Sequence, residues 1–268
     1  MAGREKDSGN QRNTAEKRQK SEKQRSRSEG EESKKEMKRE QLTTLRWFDI
    51  LIVTIIMFGE GIYNSTMQYL ALADQTTTLE ENVSFSTMQN YQALAMQSLW
   101  LFLAVMYLLF RNVDFSIFRE KIRLTPWLPL QVIGLFAVSA LAMDLYYLAS
   151  LSLAVPVTPS MEQLLAVPDL SLLLYSLLNG FYEEIFFLGI CLAVKPQYTK
   201  WAFLYSLVIR CSFHTYQGLG NGIALGILLG CIFYVLYRKM KPANLLPFFL
   251  AHAIADMVGL SIIFYFWR

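Results

Sequence analysis

Ionisable side chains inside long apolar stretches are the residues of this chain best suited to chemistry. An ionisable group in hydrocarbon costs about 2.5–3.5 kcal/mol on insertion scales, so it is a functional candidate by default. The chain places eight such residues there: Glu60, Asp144, Glu183, Glu184, Arg210, His214, His252 and Asp256. Its only two histidines are both among them.

Four of these groups are expected at one depth in the membrane. At about 1.5 Å per helical residue, each lies about 15–21 Å from the basic end of its apolar segment; they are Glu183, His214, His252 and Asp256. His252 and Asp256 are four residues apart and therefore share a helix face. We interpret this layer as a functional centre.

The chemistry that suits these residue types is activation of water. A carboxylate in an apolar medium beside a second carboxylate is a suitable general base near neutral pH. Two histidines can ligate a metal such as zinc, or they can donate hydrogen bonds to an oxyanion. No HExxH pair of ligands stands on one helix, which favours metal-independent glutamate chemistry. A transporter would use similar residues, but the chain lacks inverted repeats.

The helices that must position these groups are long apolar segments. A transmembrane helix needs about 20 mostly apolar residues, and the sequence offers seven candidate spans, at 47–73, 91–110, 127–151, 169–194, 200–217, 222–238 and 244–267. We therefore predict an all-α fold, a polytopic transmembrane helical bundle of about seven spans. In span six, glycine recurs every four residues, which predicts close packing on a neighbouring helix: Gly218, Gly222, Gly226 and Gly230.

The distribution of charge predicts the orientation of the spans. Residues 1–44 hold 13 Lys/Arg and 9 Asp/Glu with almost no large apolar residue, which is typical of a disordered charged tail. Beyond this tail every second loop is basic, so the positive-inside rule places the N-terminus in the cytoplasm. The mixed charge of the tail argues against nucleic acid as a partner. We expect the tail at 1–44, spans one to three within 45–165, and a catalytic core of spans four to seven within 166–268.

Three motifs resemble those of the CAAX-protease and bacteriocin-processing family (CPBP, or Abi) of intramembrane peptidases. That family carries Glu-Glu-x-x-x-Arg, then Phe-x-x-x-His, then His-x-x-x-Asn or Asp. Here the first motif begins at Glu183, the second ends at His214, and the third runs from His252 to Asp256. The resemblance covers about residues 170–260, and it rests on three motifs in order, each on its own span.

The resemblance implies a role for each matching residue. Glu183 would activate water, and His214 and His252 would stabilise the oxyanion or, in a metalloprotease, bind zinc. Asp256 would orient His252, with support from Glu184 and Arg210. The partners implied are the lipid bilayer and a membrane-associated peptide or protein substrate, cleaved near the cytoplasmic leaflet. Family members process prenylated CAAX proteins in eukaryotes, and bacterial relatives are linked to bacteriocin immunity and peptide-signal processing. The charged tail and the short loops favour a bacterial cytoplasmic membrane.

Two departures from the family pattern stand in these motifs. Leu188 occupies the usual Arg position and Arg210 the usual Phe position. Our hypothesis is that Arg210 supplies, from span five, the guanidinium that normally comes from span four, and pairs with Glu183 or Glu184. The alternative is a catalytically degenerate regulator or immunity protein that binds another membrane protein.

Overall fold

The computed structural model describes residues 41–79, 85–152 and 169–263, and these residues form a helical bundle. Except for residues 41–44, the tail predicted at 1–44 lies outside this part of the chain. The described helices are α1 (Trp47–Ala73), α2 (Thr87–Phe110), α3 (Ser116–Arg119), α4 (Leu128–Ser152), α5 (Leu170–Ile190), α6 (Thr199–His214), α7 (Leu219–Lys239) and α8 (Leu246–Val258). The all-α prediction is confirmed.

Seven of these helices coincide with the seven candidate spans. Five are long and apolar enough to cross a membrane, namely α1, α2, α4, α5 and α7. The other two, α6 and α8, have 16 and 13 residues, too few to cross a hydrocarbon core of about 30 Å as straight helices.

The seventh helix is shorter than the predicted span 244–267. It ends at Val258 because Gly259 has φ +80°, a left-handed conformation that stops the helix. Asp144 of α4 then binds the segment that follows: it accepts hydrogen bonds from the Ser261 hydroxyl at 2.6 Å and from the Ile262 and Ile263 backbone N–H groups at 2.8 and 2.9 Å. This accounts for one of the intramembrane carboxylates.

Loops and helix ends that carry the basic residues meet at one end of the bundle. Leu42 exchanges backbone hydrogen bonds with Asn112 and Asp114, and the Leu45 N–H donates to the Ala193 carbonyl at 2.6 Å. The Leu245 N–H donates to the carbonyl of the loop residue Lys121 at 2.6 Å. The start of α1 therefore lies beside the ends of α2 and α5 and the start of α8. We call this the basic end.

Helices α2 and α5 begin at the opposite end of the bundle. Asp169 is the N-cap of α5, where its carboxylate accepts hydrogen bonds from the Leu172 N–H at 2.8 Å and the Thr87 hydroxyl of α2 at 2.8 Å. These bonds and one from the Ser171 hydroxyl, with the Leu172 bond foremost, lower the pKa of Asp169 to about 2. The carboxylate stays ionised at neutral pH and holds the starts of the two helices together.

The glycine stripe of α7 packs on α6, as predicted, but with three glycines rather than four. A Cβ on Gly226 would lie 2.5 Å from the Cys211 backbone nitrogen, and one on Gly230 would lie 2.6 Å from Leu207 Cδ2. Gly222 also faces α6. Gly218 has open space around it and φ +87°, so it serves the turn before α7.

Aromatic packing joins α1 to α5 and α6. The Phe58 ring of α1 lies with its centroid 4.7–5.4 Å from four other rings, those of Tyr182, Phe186, Phe187 and Phe213. The Tyr182 hydroxyl also donates a hydrogen bond to the Met57 carbonyl. Because Tyr182 directly precedes Glu183, these contacts fix the part of α5 that carries the two glutamates.

Candidate active site

Glu184 lies at the point where α5 changes its winding. The helix is α-helical from Leu170 to Glu184 and π-helical from Ile185 to Ile190. Such π-turns are rare and are frequent at functional sites, because the extra residue per turn redirects the side chains on either side. Here the change follows directly on the Glu-Glu pair.

Arg210 binds Glu184 through both of its terminal nitrogens. Nη1 and Nη2 each donate to one carboxylate oxygen at 2.8 Å, and both side chains are buried. The guanidinium carbon also lies 4.2 Å from the centre of the Phe187 ring. The ion pair that we expected Arg210 to form is thus present, and the carboxylate that it binds is that of Glu184.

Leu188 lies in an apolar environment, which agrees with leucine in place of the family's arginine at this position. Its side chain is buried in the hydrophobic core, where an unpaired cation would be strongly disfavoured. The Arg210 side chain passes close to Gly230 of α7, since a Cβ there would lie 3.5 Å from Arg210 Cδ. The guanidinium therefore reaches the carboxylate from α6 rather than from α5.

His252 connects Glu184 to the rest of the site. Its Nδ1 lies 2.8 Å from Glu184 Oε1. Both Glu184 oxygens already accept from Arg210, so Nδ1 carries the hydrogen of this contact. The other ring nitrogen, Nε2, lies 3.7 Å from Glu183 Oε2 and 3.6 Å from Asp256 Oδ1. The imidazole is thus held by one carboxylate and directed at two others.

Asn179 bridges Glu183 and Asp256. Its side-chain NH₂ group donates to Glu183 Oε1 at 3.1 Å and to Asp256 Oδ2 at 2.9 Å. Its carbonyl accepts a hydrogen bond from Gln97 Nε2 of α2 at 2.7 Å, which fixes the amide orientation. Sequence reasoning missed both amides, although Asn179 stands one turn before Glu183 in an apolar segment and is visible by that spacing.

The two carboxylate oxygens of Glu183 have different hydrogen-bond surroundings. Oε1 accepts from Asn179, whereas Oε2 is buried and accepts no hydrogen bond from the described residues. A buried acceptor of this kind is rare in folded proteins. Glu183 also lines the large cavity described below.

Gly180 allows α5 and α8 to approach closely. A Cβ at this position would lie 2.9 Å from the Ala253 backbone nitrogen and would also clash with the Phe249 carbonyl. Ala253 directly follows His252, so the absence of a side chain at Gly180 sets the distance between the glutamates and the imidazole.

His214 belongs to the site but not to the carboxylate cluster. Its Nδ1 lies 2.7 Å from the Arg210 carbonyl, to which it donates, and its ring packs on Phe213 with centroids 4.1 Å apart. In the neutral tautomer this leaves Nε2 as a hydrogen-bond acceptor. The side chain lines the same cavity as Glu183 and His252.

The site opens into a cavity of about 1120 Å³ between the helices. Its lining comes mainly from the second half of α1, from α2 and α5 up to Trp100 and Glu183, and from the last turns of α6 and α8, with further side chains from α4 and α7. The parts of α1, α2, α5, α6 and α8 that line it lie away from the basic end. Besides the catalytic candidates, polar side chains line it: Glu60, Asn64, Gln68, Gln97, Trp100, Tyr175 and Tyr216.

The described residues do not fit a catalytic zinc. Glu183, Glu184 and His252 each place one ligand atom within 4.8 Å of the others, whereas His214 is not part of that group. Each Glu184 oxygen already accepts from Arg210, which leaves Glu183 Oε2 and His252 Nε2 as ligand atoms of the group. A catalytic zinc takes three protein ligands, one more than this group offers.

Comparison with known proteins agrees with this geometry. Residues 167–258 match the family model described as "Type II CAAX prenyl endopeptidase Rce1-like", a range that contains Glu183, Glu184, Arg210, His214, His252 and Asp256. No curated protein and no solved structure matches the chain significantly. The resemblance inferred from the three motifs is confirmed. The chain thus has several helices long and apolar enough to cross a membrane, and its residues 167–258, which carry the candidate site, are similar to the Rce1-like family of type II CAAX prenyl endopeptidases.

Proposed function

We propose that this protein is an intramembrane endopeptidase in which Glu183 activates the water that attacks a peptide bond. The observation that carries the proposal is the contrast between the two glutamates. Both oxygens of Glu184 are bound by Arg210, whereas Glu183 Oε2 accepts no hydrogen bond from the described residues and Glu183 lines the cavity. A general base needs such an available oxygen within reach of its water.

The reaction assigns one proton path to Glu183. Oε2 accepts a proton from water as the hydroxide oxygen bonds to the carbonyl carbon of the substrate, giving a tetrahedral oxyanion. The protonated Glu183 then delivers that proton to the amide nitrogen as the carbon–nitrogen bond breaks. One water is consumed, and the products are a carboxylic acid and an amine.

The histidines have complementary roles in this scheme. Nε2 of His252 lies 3.7 Å from Glu183 Oε2. Carboxylates flank both ring nitrogens, so the ring acts here as an imidazolium, in which Nε2 also carries a hydrogen and can donate to the developing oxyanion. Asp256 lies on the other side of the same nitrogen and orients the ring. His214, whose Nδ1 is bound to a backbone carbonyl, presents Nε2 as an acceptor that orients the attacking water.

The substrate class follows from the position of the cavity. It lies between membrane-spanning helices, so the substrate is a membrane-associated protein or peptide, as in bacteriocin immunity or the processing of peptide signals. We place the protein in a bacterial cytoplasmic membrane with the basic end in the cytoplasm, by the positive-inside rule.

A non-catalytic regulator is the second candidate, because Leu188 replaces the family's Arg. The bidentate pairing of Arg210 with Glu184 removes the main reason for that interpretation. Arg210 supplies a positive charge to the Glu-Glu pair from α6 rather than from α5. Every other motif position carries a side chain that can take part in catalysis.

The test is cleavage of internally quenched peptides by the purified protein in liposomes. We expect Glu183→Gln to lower kcat by about 10²–10⁴-fold, the contribution of a positioned general base, while the protein inserts and melts like wild type. A chelator should leave wild-type cleavage unchanged.

Two results would contradict this scheme. Full activity of Glu183→Gln would remove the proposed base. Loss of activity with chelator and recovery with added zinc would assign the reaction to a metal instead.

A further inference from the structure

Glu60 of α1 is a carboxylate that the proposed reaction leaves unused. It is exposed and lines the same cavity as Glu183. Its Oε2 accepts a hydrogen bond from the indole N–H of Trp100 at 2.9 Å. This neutral donor fixes the carboxylate beside an aromatic ring without neutralising its charge.

Among the described residues, no lysine or arginine of the cavity lining is available to pair with Glu60. Of the residues that line it, Arg210 alone is a lysine or arginine, and it is bound through two hydrogen bonds to Glu184. Three carboxylates line the cavity, from Glu60, Glu183 and Asp256. A cavity of this composition attracts positive charge and repels negative charge.

The groups around Glu60 are suited to a cation rather than to an apolar side chain. A carboxylate held against the indole of Trp100 offers both an ion-pair partner and an aromatic ring, the usual surroundings of bound ammonium and guanidinium groups. One helical turn away, Gln97 Oε1 is buried and accepts no hydrogen bond from the described residues. It is a second acceptor in the same wall of the cavity.

The Glu60 position is coupled to the proposed catalytic centre through α2. Trp100 contacts Glu60, while Gln97, three residues earlier on that helix, contacts Asn179, the partner of Glu183. Residues three apart on a helix have Cβ atoms about 5–6 Å apart. When the lengths of the side chains are included, the Glu60 and Glu183 carboxylates lie roughly 10–15 Å apart. An extended peptide spans this distance with about three to five residues.

We propose that Glu60 and Trp100 form a specificity subsite that binds a lysine or arginine side chain of the substrate, about three to five residues from the cleaved bond. The inference rests on the proposed peptidase function and names the substrate class for the same cavity: a membrane-associated peptide with a basic residue near its cleavage site.

The test uses internally quenched peptides that differ at one position, which is Lys, Arg, norleucine or Glu. We expect wild type to cleave the Lys and Arg peptides with kcat/KM about tenfold above the norleucine peptide. Glu60→Gln, which can still accept from Trp100, should lose this preference mainly through KM. Glu60→Lys should prefer the Glu peptide. The matched control is Glu120→Gln, the same change at the basic end, and it should retain the preference.

A binding measurement separates this proposal from the peptidase function. Affinity of the same peptides for Glu183→Gln and for Glu183→Gln/Glu60→Gln should show the Lys preference in the first protein and not in the second, whether or not wild type cleaves them. Equal affinities for Lys and norleucine peptides, or a Lys preference that survives Glu60→Gln, would overturn the subsite. A preference abolished by N-terminal acetylation would assign the charge to a terminal amine and would equally overturn it.

Discussion

Glu183 and Glu184 are neighbours in sequence with opposite surroundings. Arg210 and His252 contact Glu184, which therefore stays a fixed anion, while Glu183 retains an available oxygen. Adjacent helix positions differ in direction by about 100°, so divergent surroundings could be expected from the sequence. The sequence could not show which glutamate faces the arginine, because that depends on the side from which α6 approaches α5.

The pairing of Arg210 with Glu184 leads to a prediction at the residue scale. Arg210→Leu leaves Glu184 buried without its cation, and breaking a buried pair from one side costs about 3–5 kcal/mol. We expect a much lower melting temperature in detergent and loss of peptide cleavage. Arg210→Lys should recover little, since lysine cannot bind both oxygens at once.

A double variant distinguishes compensation from simple damage. Leu188→Arg combined with Arg210→Leu returns the guanidinium to the family's position, one turn after Glu184. We expect it to recover part of the stability and cleavage lost in Arg210→Leu, whereas Leu188→Arg alone should be destabilising because it buries a second cation. A double variant no better than Arg210→Leu would contradict the exchange of positions between the two helices.

At the scale of elements, the apolar segments were predictable and their ends were not. Composition alone located all seven helices, since burial in hydrocarbon dominates their placement. The end of α8 depends on the backbone conformation of Gly259 and on the contacts of Asp144 with residues 261–263. The π-turn of α5 has no sequence signal that we could identify. Those features depend on tertiary contacts, which composition does not encode.

The close approach of α5 and α8 leads to a prediction at the element scale. Gly180→Ala places a methyl group against the backbone of α8, which must shift and carry His252 away from Glu184. We expect a loss of about 1–3 kcal/mol in stability, typical of overpacking, and a fall in kcat larger than the change in KM. Thermal unfolding and peptide cleavage measure the two effects.

The control for this prediction is Gly134→Ala on α4, where a Cβ would meet no atom within 4 Å. It should change neither quantity appreciably. Wild-type activity in Gly180→Ala would mean that the helices can separate without disturbing the site.

At the scale of the whole molecule, charge and cavity lie at opposite ends. The basic residues meet where α1 begins and α2 ends, and the cavity lies in the other half of the bundle, lined by the second half of α1. With the basic end in the cytoplasm, the cavity lies in the outer half of the membrane. This differs from cleavage near the cytoplasmic leaflet, which we expected from the family resemblance.

This difference can be decided by labelling single cysteines in intact cells. Gln68→Cys lies at the cavity and Glu120→Cys at the basic end; both residues are exposed. With the basic end inside, a membrane-impermeant maleimide should label Gln68→Cys in intact cells and Glu120→Cys only after permeabilisation. The unaltered chain, with Cys191, Cys211 and Cys231, measures the background.

The reverse pattern would place the cavity towards the cytoplasm, and the basic residues would then not determine the orientation. The expected pattern would mean that substrate enters from the outer leaflet, so the peptide bond is cut on the side of the membrane away from the charged N-terminal segment.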